Sequence, residues 1–271
     1  MDYKTYKPSP ALAPFIKCFW SLKASATGAP EVQRIVPDGC MELIIHCGDP
    51  YEQYLQEGIF VLQPRSFVFG QITTLLEIRP TGKSDIIAAR FHPDGFVPVA
   101  SMPISEMENK AVALKELFGE EGNQLEIQVM SSETSLSRVH QIEGFFLQKL
   151  TSPETLERLI RSGIELLNKF NGQVSVADLA ALLNTNRRQL ERKFSTSVGI
   201  SPKQLSKIIR LQSALKMLEQ KQFSSLTSLA YANGYFDQAH FIKDFKELTG
   251  MSPKKFCTDS LKMSSLFINN D

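Results

Sequence analysis

The chain has 271 residues, a formal net charge of +1 at pH 7, and 42% hydrophobic against 22% charged residues. This length suits about two domains, and the composition supports a hydrophobic core and excludes global disorder. No apolar run approaches the ~20 residues of a membrane span, and no signal peptide is visible after Met1, so we expect no membrane association. The four cysteines are scattered without a paired spacing, which favours reduced thiols and a cytoplasmic location.

The small net charge hides an asymmetry between the two halves of the chain. Residues 1–150 hold 13 Lys and Arg against 18 Asp and Glu, whereas residues 151–271 hold 17 against 11. The halves therefore carry net charges of −5 and +6. Because Lys and Arg on one face attract phosphates, the basic half is the one in which to look for contacts with a polyanion. Such a split also occurs in two-domain proteins without a nucleic-acid partner, so charge alone leaves this open.

Short runs rich in Ile, Val, Phe and Leu predict strands over residues 1–95. Turn signals such as Pro37-Asp38-Gly39 and Pro93-Asp94-Gly95 separate the runs. Short strands at close spacing indicate a sandwich or a barrel, so we expect a β-rich, barrel-like or sandwich-like domain over residues 1–104. The predicted strands are Ile16–Leu22, Cys40–Cys47, Ile59–Leu62, Ser66–Gly70, Leu75–Arg79 and Asp85–Phe91.

From about Ser105 the pattern becomes helical. Glu106–Phe118 and Leu136–Leu150 carry apolar residues three and four apart, which is typical of amphipathic helices. We predict a helical linker over residues 105–151, whose apolar stripes also offer a surface for dimer contacts. A further helix is predicted from Ser152-Pro153 to Phe170, with Ser as N-cap and Pro at the first helical position. It opens an all-α C-terminal domain over residues 152–271.

Residues 175–256 contain an internal repeat, which is the most specific signal in the sequence. Ser175-Val176-Ala177-Asp178-Leu179-Ala180 corresponds to Ser225-Leu226-Thr227-Ser228-Leu229-Ala230 at an offset of 50 residues. After one inserted residue the offset becomes 51. The corresponding pairs at that offset are Asn186 and Asp237, Leu190 and Phe241, Phe194 and Phe245, and Gly199 and Gly250.

Each copy of the repeat is predicted to form two short helices joined by a tight turn. Ser175 is expected to cap the first helix of the first copy and to form a capping box with Asp178, and Asn186 to cap the second. Ser225 and Asp237 hold the same positions in the second copy. The remaining predicted features are a turn at Asn233-Gly234 and a long connecting helix from about Pro202 to Gln220.

Two helices joined in this way have helix-turn-helix geometry, in which the second helix enters the major groove of DNA. We therefore predict two helix-turn-helix units, at about residues 175–197 and 225–249. A single helical pair of this kind often only packs a core. Two copies joined by one long helix favour DNA binding, because two recognition helices can occupy successive segments of the major groove.

The second helix of the first copy is predicted to present a cationic outer face. With Leu190 and Phe194 on the inner stripe, the outward pole carries Arg188, Arg192 and Ser195, and Gln189 and Glu191 flank it. Arg is suited to guanine, Gln to adenine and Glu to cytosine, so these side chains are candidates for base contacts.

The residues at the flanks of this face allow a second interpretation. Asn186 belongs to the candidate interface as its cap, and Arg187 and Lys193 are candidates for phosphate contacts, which position a protein without reading sequence. The alternative is a solvated helix face on which Arg187 and Glu191, four residues apart, form an ion pair.

The second copy predicts the same geometry with fewer polar contacts. Phe241, Phe245 and Leu248 form the inner stripe. The outer residues are Gln238, Ala239, His240, Ile242, Lys243 and Lys246. Because only Gln238, His240 and Lys243 are well suited to polar contacts, we expect this helix to hold the DNA backbone more than it reads sequence. His240 is equally consistent with an ordinary surface histidine.

At these residues the chain resembles the AraC/XylS family of bacterial transcription regulators, over about residues 165–257. The resemblance implies a seven-helix DNA-binding domain with two helix-turn-helix units. It places Arg187, Arg188, Glu191 and Arg192 at base- or phosphate-contacting positions of the first recognition helix, and Gln238, Ala239, Ile242 and Lys243 at those of the second. The motifs that carry it are Val176–Ala180, Arg188–Phe194, Gly199–Pro202, Ala230–Phe241 and Phe245–Phe256.

The N-terminal segment also resembles a β-rich domain that precedes this module in some family members. Leu12–Leu22, Val36–Leu43 and Arg79–Asp85 carry the likeness. By analogy the domain would sense a small-molecule effector or mediate homodimerisation, and an activator would also contact RNA polymerase. A likeness at the level of fold does not establish such roles.

Motifs for common catalytic and phosphate-binding chemistry are absent from the sequence: GxxxxGK[ST], GxGxxG, HExxH and GxSxG do not occur. A metal is not expected either, because Cys40 and His46 share a strand face but lie about 20 Å apart at the usual strand rise. We predict no cofactor, no metal and no catalytic residue. Five aromatic residues are expected in the core rather than in a ligand wall: Phe19, Trp20, Phe67, Phe69 and Phe91.

Two hypotheses follow from the sequence. The first is a sequence-specific, double-stranded-DNA-binding transcription regulator that is not an enzyme. The second is a β-barrel small-molecule binder or enzyme with a helical tail that serves only as an interaction module. The duplicated helix pair favours the first, and the acidic N-terminal half motivates the second.

Overall fold

The structure, a computed structural model, describes residues 1–25, 31–55, 58–150, 157–220 and 222–258. Its N-terminal part contains two antiparallel sheets. Six strands form the first sheet in the order β1-β2-β9-β4-β7-β10, and four form the second in the order β3-β8-β5-β6. The strands are β1 (Asp2–Tyr6), β2 (Ile16–Ala24), β3 (Gln33–Ile35), β4 (Glu42–His46), β5 (Tyr51–Tyr54), β6 (Phe60–Leu62), β7 (Ser66–Phe69), β8 (Leu76–Pro80), β9 (Ser84–Phe91) and β10 (Ala111–Ala113).

The six-stranded sheet buries both of its faces, because successive side chains of a strand point to opposite sides. On one face Leu43, Ile45 and Ala89 belong to a core shared with helices. On the other face Trp20 and Ile86 pack with Tyr51 of the four-stranded sheet. This arrangement confirms the predicted sandwich-like, β-rich fold.

The segment after the sheets contains three helices: α1 (Leu114–Phe118), α2 (Glu120–Ser131) and α3 (Ser135–Lys149). The prediction of α3 is confirmed, but that of one helix over Glu106–Phe118 is wrong. A 3-10 turn covers Ile104–Met107, Asn109 has a positive φ of 56°, and β10 follows. Local apolar spacing is overridden here because Val112 pairs with Val68 at the edge of the sheet.

Helices α1 to α3 contribute to the same hydrophobic core as the six-stranded sheet. Leu117, Val129 and Phe146 are buried in that core, and Arg138 of α3 pairs with Asp85 of β9 at 2.8 Å. The apolar stripes of the predicted linker, residues 105–151, therefore cover the sheet. Ile127 of α2 and Leu136 and Leu147 of α3 are nevertheless exposed, so a dimer contact through this segment stays a prediction.

The C-terminal part is helical. Its helices are α4 (Arg158–Lys169), α5 (Val176–Leu182), α6 (Arg187–Ser197), α7 (Pro202–Glu219), α8 (Leu226–Ala232), α9 (Gln238–Thr249) and α10 (Pro253–Thr258). The predicted start of the first helix at Ser152-Pro153 lies outside the described residues. The long connecting helix is confirmed as α7, with Ser201 as N-cap in a capping box with Gln204.

The helices of the C-terminal part surround one core that also includes residues of the N-terminal part. Leu190, Leu215 and Phe241 lie in it, and Val36 and Leu75 pack against it from the sheet side. None of the described helices is both long and apolar enough to cross a lipid bilayer.

Polar contacts also join the two parts. Gln212 Nε2 of α7 donates to the Pro37 carbonyl at 2.6 Å, and Arg161 of α4 donates to the Pro14 carbonyl. The Arg161 guanidinium lies 3.8 Å from Asp94 Oδ2. The two parts therefore meet at loops of the sheet region, at α4 and α7, and where Gly199, just after the end of α6, approaches Ile104.

Candidate nucleic-acid interface

The first helix-turn-helix unit consists of α5, a short turn and α6. Asn184 holds the turn with a positive φ of 49°, a conformation that Asn tolerates better than most residues. Ser175 and Asn186 cap the two helices, as predicted, by accepting the backbone N–H groups of Asp178 and Gln189. The predicted capping box is wrong in one detail: the Asp178 carboxylate accepts the Ser175 hydroxyl at 2.7 Å instead of a backbone N–H.

Helix α6 has the two faces that the sequence predicts. Leu190 and Phe194 are completely buried, so they fix how the helix sits on the core. Arg188, Arg192 and Ser195 are exposed on the other side. The two guanidinium groups lie one helical turn apart and are therefore positioned to reach neighbouring groups on one external surface.

The remaining candidates on α6 and its cap are partly engaged with protein groups. Asn186 is exposed, and Arg187 donates from Nε to Glu191 Oε1 at 2.9 Å, the ion pair that the sequence left as an alternative. Gln189 Oε1 accepts the Thr185 hydroxyl at 3.1 Å. Lys193 pairs with Glu157, just before α4. Lys193 therefore ties α6 to the neighbouring helix.

The second unit, α8 and α9, repeats the framework. Ser225 caps α8 in a capping box with Ser228, and Asp237 caps α9 by accepting the His240 N–H at 2.7 Å. The turn contains Gly234 at a φ of +71°, and a Cβ there would lie 2.7 Å from the Gln173 side chain. This position requires glycine both for its conformation and for the close approach of Gln173.

Helix α9 exposes a less polar surface than α6. Ala239, His240, Lys243 and Lys246 are exposed, whereas Ile242 is half-buried. Gln238 Oε1 accepts the Thr227 hydroxyl at 2.7 Å, so its amide is oriented by α8. The two lysines are the exposed cations of this helix within the described residues.

Two family models match the chain. Residues 179–258 match a helix-turn-helix domain, and residues 4–113 match a domain of unknown function (DUF6597). The first match begins within α5 and ends with α10, so it contains both recognition helices, α6 and α9.

Curated relatives agree with the C-terminal match. An uncharacterized HTH-type transcriptional regulator of Haemophilus influenzae is 27% identical over 159 residues, which is 59% of this chain and 51% of that protein. YidL of Escherichia coli, also an uncharacterized HTH-type regulator, is 38% identical over 79 residues, or 29% of this chain and 26% of that protein. The chain spans about half the length of these relatives or less.

Solved structures add two likenesses. The C-terminal domain of AraT from Geobacillus stearothermophilus is 25% identical, with a TM-score of 0.37 over 42% of this chain and 93% of that one. ToxT from Vibrio cholerae is 13% identical, with a TM-score of 0.48 over 91% of this chain and 99% of that one.

The C-terminal part of the chain is an AraC-type helix-turn-helix domain. The sequence signals for it are local, namely caps, turns and inner stripes, and the structure contains all of them.

The AraC-type domain also contains a buried charge cluster that was not among the predicted features. Asp244 of α9 is 6% exposed and lies 3.2 Å from Lys207 Nζ and 3.7 Å from Arg210 Nη2, both on α7. His240 Nε2 lies 3.6 Å away on the same helix. Arg210 also covers the Tyr235 ring at 4.9 Å. One sequence signal for this cluster was available. Asp244 lies on the inner side of a helix that carries lysines on its outer side, and a buried carboxylate requires charged or hydrogen-bonding partners.

The cluster fixes α9 to the connecting helix. Burial raises the pKa of Tyr235 to about 12, so its hydroxyl stays protonated beside Arg210. The AraC-type domain therefore positions its two recognition helices differently: α6 is tied to the residue before α4, and α9 to α7.

The sheet region contains residues that the sequence placed in other roles. Phe19, Phe67 and Phe91 are buried as expected, but Trp20 and Phe69 are buried and also line a cavity between the sheets. Cys40 and His46 line the same cavity. Within the described ranges, no three His, Cys, Asp or Glu side chains are grouped closely enough to hold a metal ion.

Proposed function

We propose that this protein is a sequence-specific DNA-binding transcription regulator that acts in the bacterial cytoplasm without catalysing a reaction. The observation that carries the proposal is the exposure of Arg188 and Arg192 on a capped second helix of a duplicated helix-turn-helix unit. Capping and the buried stripe fix the helix, so the exposed cations face outward without loss of core packing.

The proposed roles of the side chains follow from their freedom to reach DNA. Arg188, Arg192 and Ser195 are proposed to contact base edges, because Arg pairs with guanine O6 and N7 and a hydroxyl contacts several bases. Gln189 and Glu191 are proposed as secondary base contacts, since each already binds a protein group. Asn186 and Arg187 are proposed to contact phosphates.

The second recognition helix is proposed to bind mainly the backbone. Lys243 and Lys246 supply charge, and Gln238 and His240 supply hydrogen-bonding groups at the start of α9. Ala239 and Ile242 offer only apolar contact, as with a thymine methyl group. Lys193 is not proposed as a phosphate contact, because Glu157 neutralises it.

The N-terminal part is proposed to regulate the DNA-binding part through an effector or a homodimer. The contacts of Pro37 with Gln212 and of Pro14 with Arg161 support direct communication, since they join the sheet region to α7 and α4. We propose three segments: an N-terminal domain over residues 1–104, a linker over residues 105–151 and a DNA-binding domain over residues 152–271. The helices of the linker pack on the six-stranded sheet of the N-terminal domain. An activator of this type would also contact RNA polymerase.

The proposal is tested by selecting bound sequences from a random double-stranded DNA pool with the full chain. The expected result is one enriched motif, with affinity that falls steeply with salt because phosphate contacts release counterions. In gel shifts on that motif, Arg192→Ala should cost about 1–3 kcal/mol and relax one base position.

A matched control is Arg158→Ala, which removes an exposed arginine from α4 of the same domain. It should leave affinity for the motif within twofold of the wild type. Equal, salt-insensitive binding to all duplexes would contradict the proposal. Turnover or metal content in the purified protein, with no DNA binding, would instead support a small-molecule enzyme with a helical tail.

A further inference from the structure

A cavity lies between the two N-terminal sheets. It holds about 70 Å³ of space that a water-sized molecule can occupy. This volume exceeds the ~10–15 Å³ that one water molecule needs and lies below the ~300 Å³ of a drug-sized site, so the cavity suits only a small ligand. Its walls are mainly apolar side chains from both sheets, among them Trp20, Leu22, Ile35, Ile44, Ile78 and Ile86.

Glu42 and His46 place hydrogen-bond acceptors on the wall of this apolar space. Glu42 of β4 accepts the Trp20 Nε1–H at 3.3 Å, and its side chain is 15% exposed. His46, on the same face of β4, is 1% exposed and donates from Nε2 to Gln63 Oε1 at 3.2 Å. Its Nδ1 atom has no hydrogen-bond partner within the described residues. A buried acceptor without a donor is costly, so a ligand that brings a donor to this atom gains a hydrogen bond there.

The charges around the cavity favour the same kind of ligand. Burial raises the pKa of Glu42 to about 7 and lowers the pKa of His46 to about 4, so near neutral pH the first is partly ionised and the second is neutral. Asp38 also lines the cavity, and no Lys or Arg is found among its described lining residues. Arg90 behind Glu42 is held by Asp38 and lies 3.5 Å from the Glu42 carboxylate.

We infer that this cavity binds an apolar small molecule that carries a hydrogen-bond donor, as in a primary amine, with the donor directed at Glu42 and His46. An anionic ligand is disfavoured, because it would meet two carboxylates and no cationic side chain on the wall. The small molecule can bind whether or not the protein recognises DNA, but a regulatory role for it rests on the proposed function.

One turn at the cavity wall contacts the DNA-binding part directly. Asp38, at the cavity wall, belongs to the turn whose Pro37 carbonyl accepts the Gln212 side chain of α7 at 2.6 Å. Gly39 of the same turn packs against Leu205, since a Cβ there would lie 2.9 Å from the Leu205 Cδ1 atom. A ligand that draws Glu42 away from Arg90 therefore changes the charge balance on a turn that rests on α7.

Trp20 makes the inference directly measurable, because it is the single tryptophan of the sequence. The full-length protein is titrated with 2-phenylethylamine, 2-phenylethanol and 3-phenylpropionate while Trp20 fluorescence is recorded. The amine and the alcohol should change the emission saturably. The carboxylate should bind with an affinity at least roughly tenfold lower, as expected for the loss of a hydrogen bond to a charged group. Equal or tighter binding of the carboxylate would overturn the inference, as would the absence of any response.

Variants assign the effect to the cavity. Glu42→Gln keeps the shape of the side chain but removes its charge, so the affinity for the amine should fall roughly tenfold while the alcohol is affected less. Glu77→Gln is the control, because Glu77 pairs with Arg34 at 2.9 Å outside the cavity wall. It should leave both affinities within twofold. Unchanged amine binding in Glu42→Gln, with a melting temperature like that of the wild type, would remove Glu42 from the site.

Parallel gel shifts on the selected DNA motif separate this inference from the proposed function. Intact DNA binding with no response to the probes would refute the cavity site alone. Probe binding without any DNA recognition would refute the regulator and leave the site in place.

Discussion

The two helix-turn-helix units of this protein share a framework and differ in what holds and surrounds it. In both, a serine caps the first helix, an Asx residue caps the second and two apolar side chains fix the recognition helix on the core. The 51-residue offset pairs Arg192 with Lys243 and Lys193 with Asp244. Duplication has therefore kept the local signals that form the unit, while the exposed and anchoring positions have diverged.

The anchoring position shows the divergence best. Lys193 is 26% exposed and pairs with Glu157 just before α4, whereas Asp244 is 6% exposed and faces Lys207 and Arg210 of α7. The sign of the charge is reversed at the same place in the repeat. A recognition helix can thus be tied to its domain by either sign, provided that the neighbouring segment supplies the complement.

Truncating a side chain of the shared core should give the largest loss of unfolding free energy. Phe194 and Phe245, which correspond in the repeat, are both buried in one cluster, so Phe194→Ala and Phe245→Ala should each cost about 3–5 kcal/mol of unfolding free energy. Urea unfolding of the full chain, followed by circular dichroism, measures the loss. Because one core spans both units, each variant should shift the same helical transition; a shift confined to a separate transition for each unit would contradict a single core.

Removing the anchoring charge, Lys193 in the first unit or Asp244 in the second, should reduce the unfolding free energy by different amounts. Asp244→Ala leaves the largely buried Arg210 without its carboxylate and Lys207 with only the exposed Glu247, and should cost about 3 kcal/mol. Lys193→Ala removes a more exposed ion pair and should cost under about 1 kcal/mol. The same urea experiment compares them. Equal costs would mean that the buried cluster around Asp244 contributes no more than a surface pair.

The framework could be predicted from sequence because its determinants are local. The caps Ser175, Asn186, Ser225 and Asp237 are read from residue type and position, and all four act as caps in the structure. The exposure of Arg188 followed equally from the position of Leu190. These features depend on neighbours within one helical turn.

What the sequence did not predict depends on distant partners. The short strands β3 and β5 lack long apolar runs and exist because β8 pairs with both of them. Lys193 was interpreted as a phosphate contact because nothing near it in sequence shows Glu157. The cavity between the sheets was missed for the same reason, since Trp20 and Glu42 come from different strands of the first sheet and meet Ile78 of the second.

Substitutions at the exposed positions compare the two recognition helices in DNA binding. Arg188→Ala should cost about 1–3 kcal/mol on the selected motif and change the base preference at one position. Lys243→Ala should weaken all sequences alike and reduce the slope of log affinity against log salt by about 1. Gel shifts on the motif and on a scrambled duplex, at three salt concentrations, distinguish the two. A change of base preference in Lys243→Ala would mean that α9 also reads sequence.

Removing the helix caps should give the smallest loss of unfolding free energy. It tests whether the equivalent caps of the two units contribute equally to stability. Ser175 and Ser225 each accept the backbone N–H of the residue three positions on, at 3.1 and 3.0 Å, so Ser175→Ala and Ser225→Ala should each cost about 1 kcal/mol. Ser195→Ala, an exposed hydroxyl within α6, should stay within about 0.5 kcal/mol of the wild type. Equal losses in the two cap variants are expected even though Ser228 completes a capping box and Asp178 does not, because each serine satisfies one backbone donor. A loss at Ser225 twice that at Ser175 would show that the two caps contribute unequally, since Ser225→Ala keeps the backbone N–H that donates to the Ser228 hydroxyl.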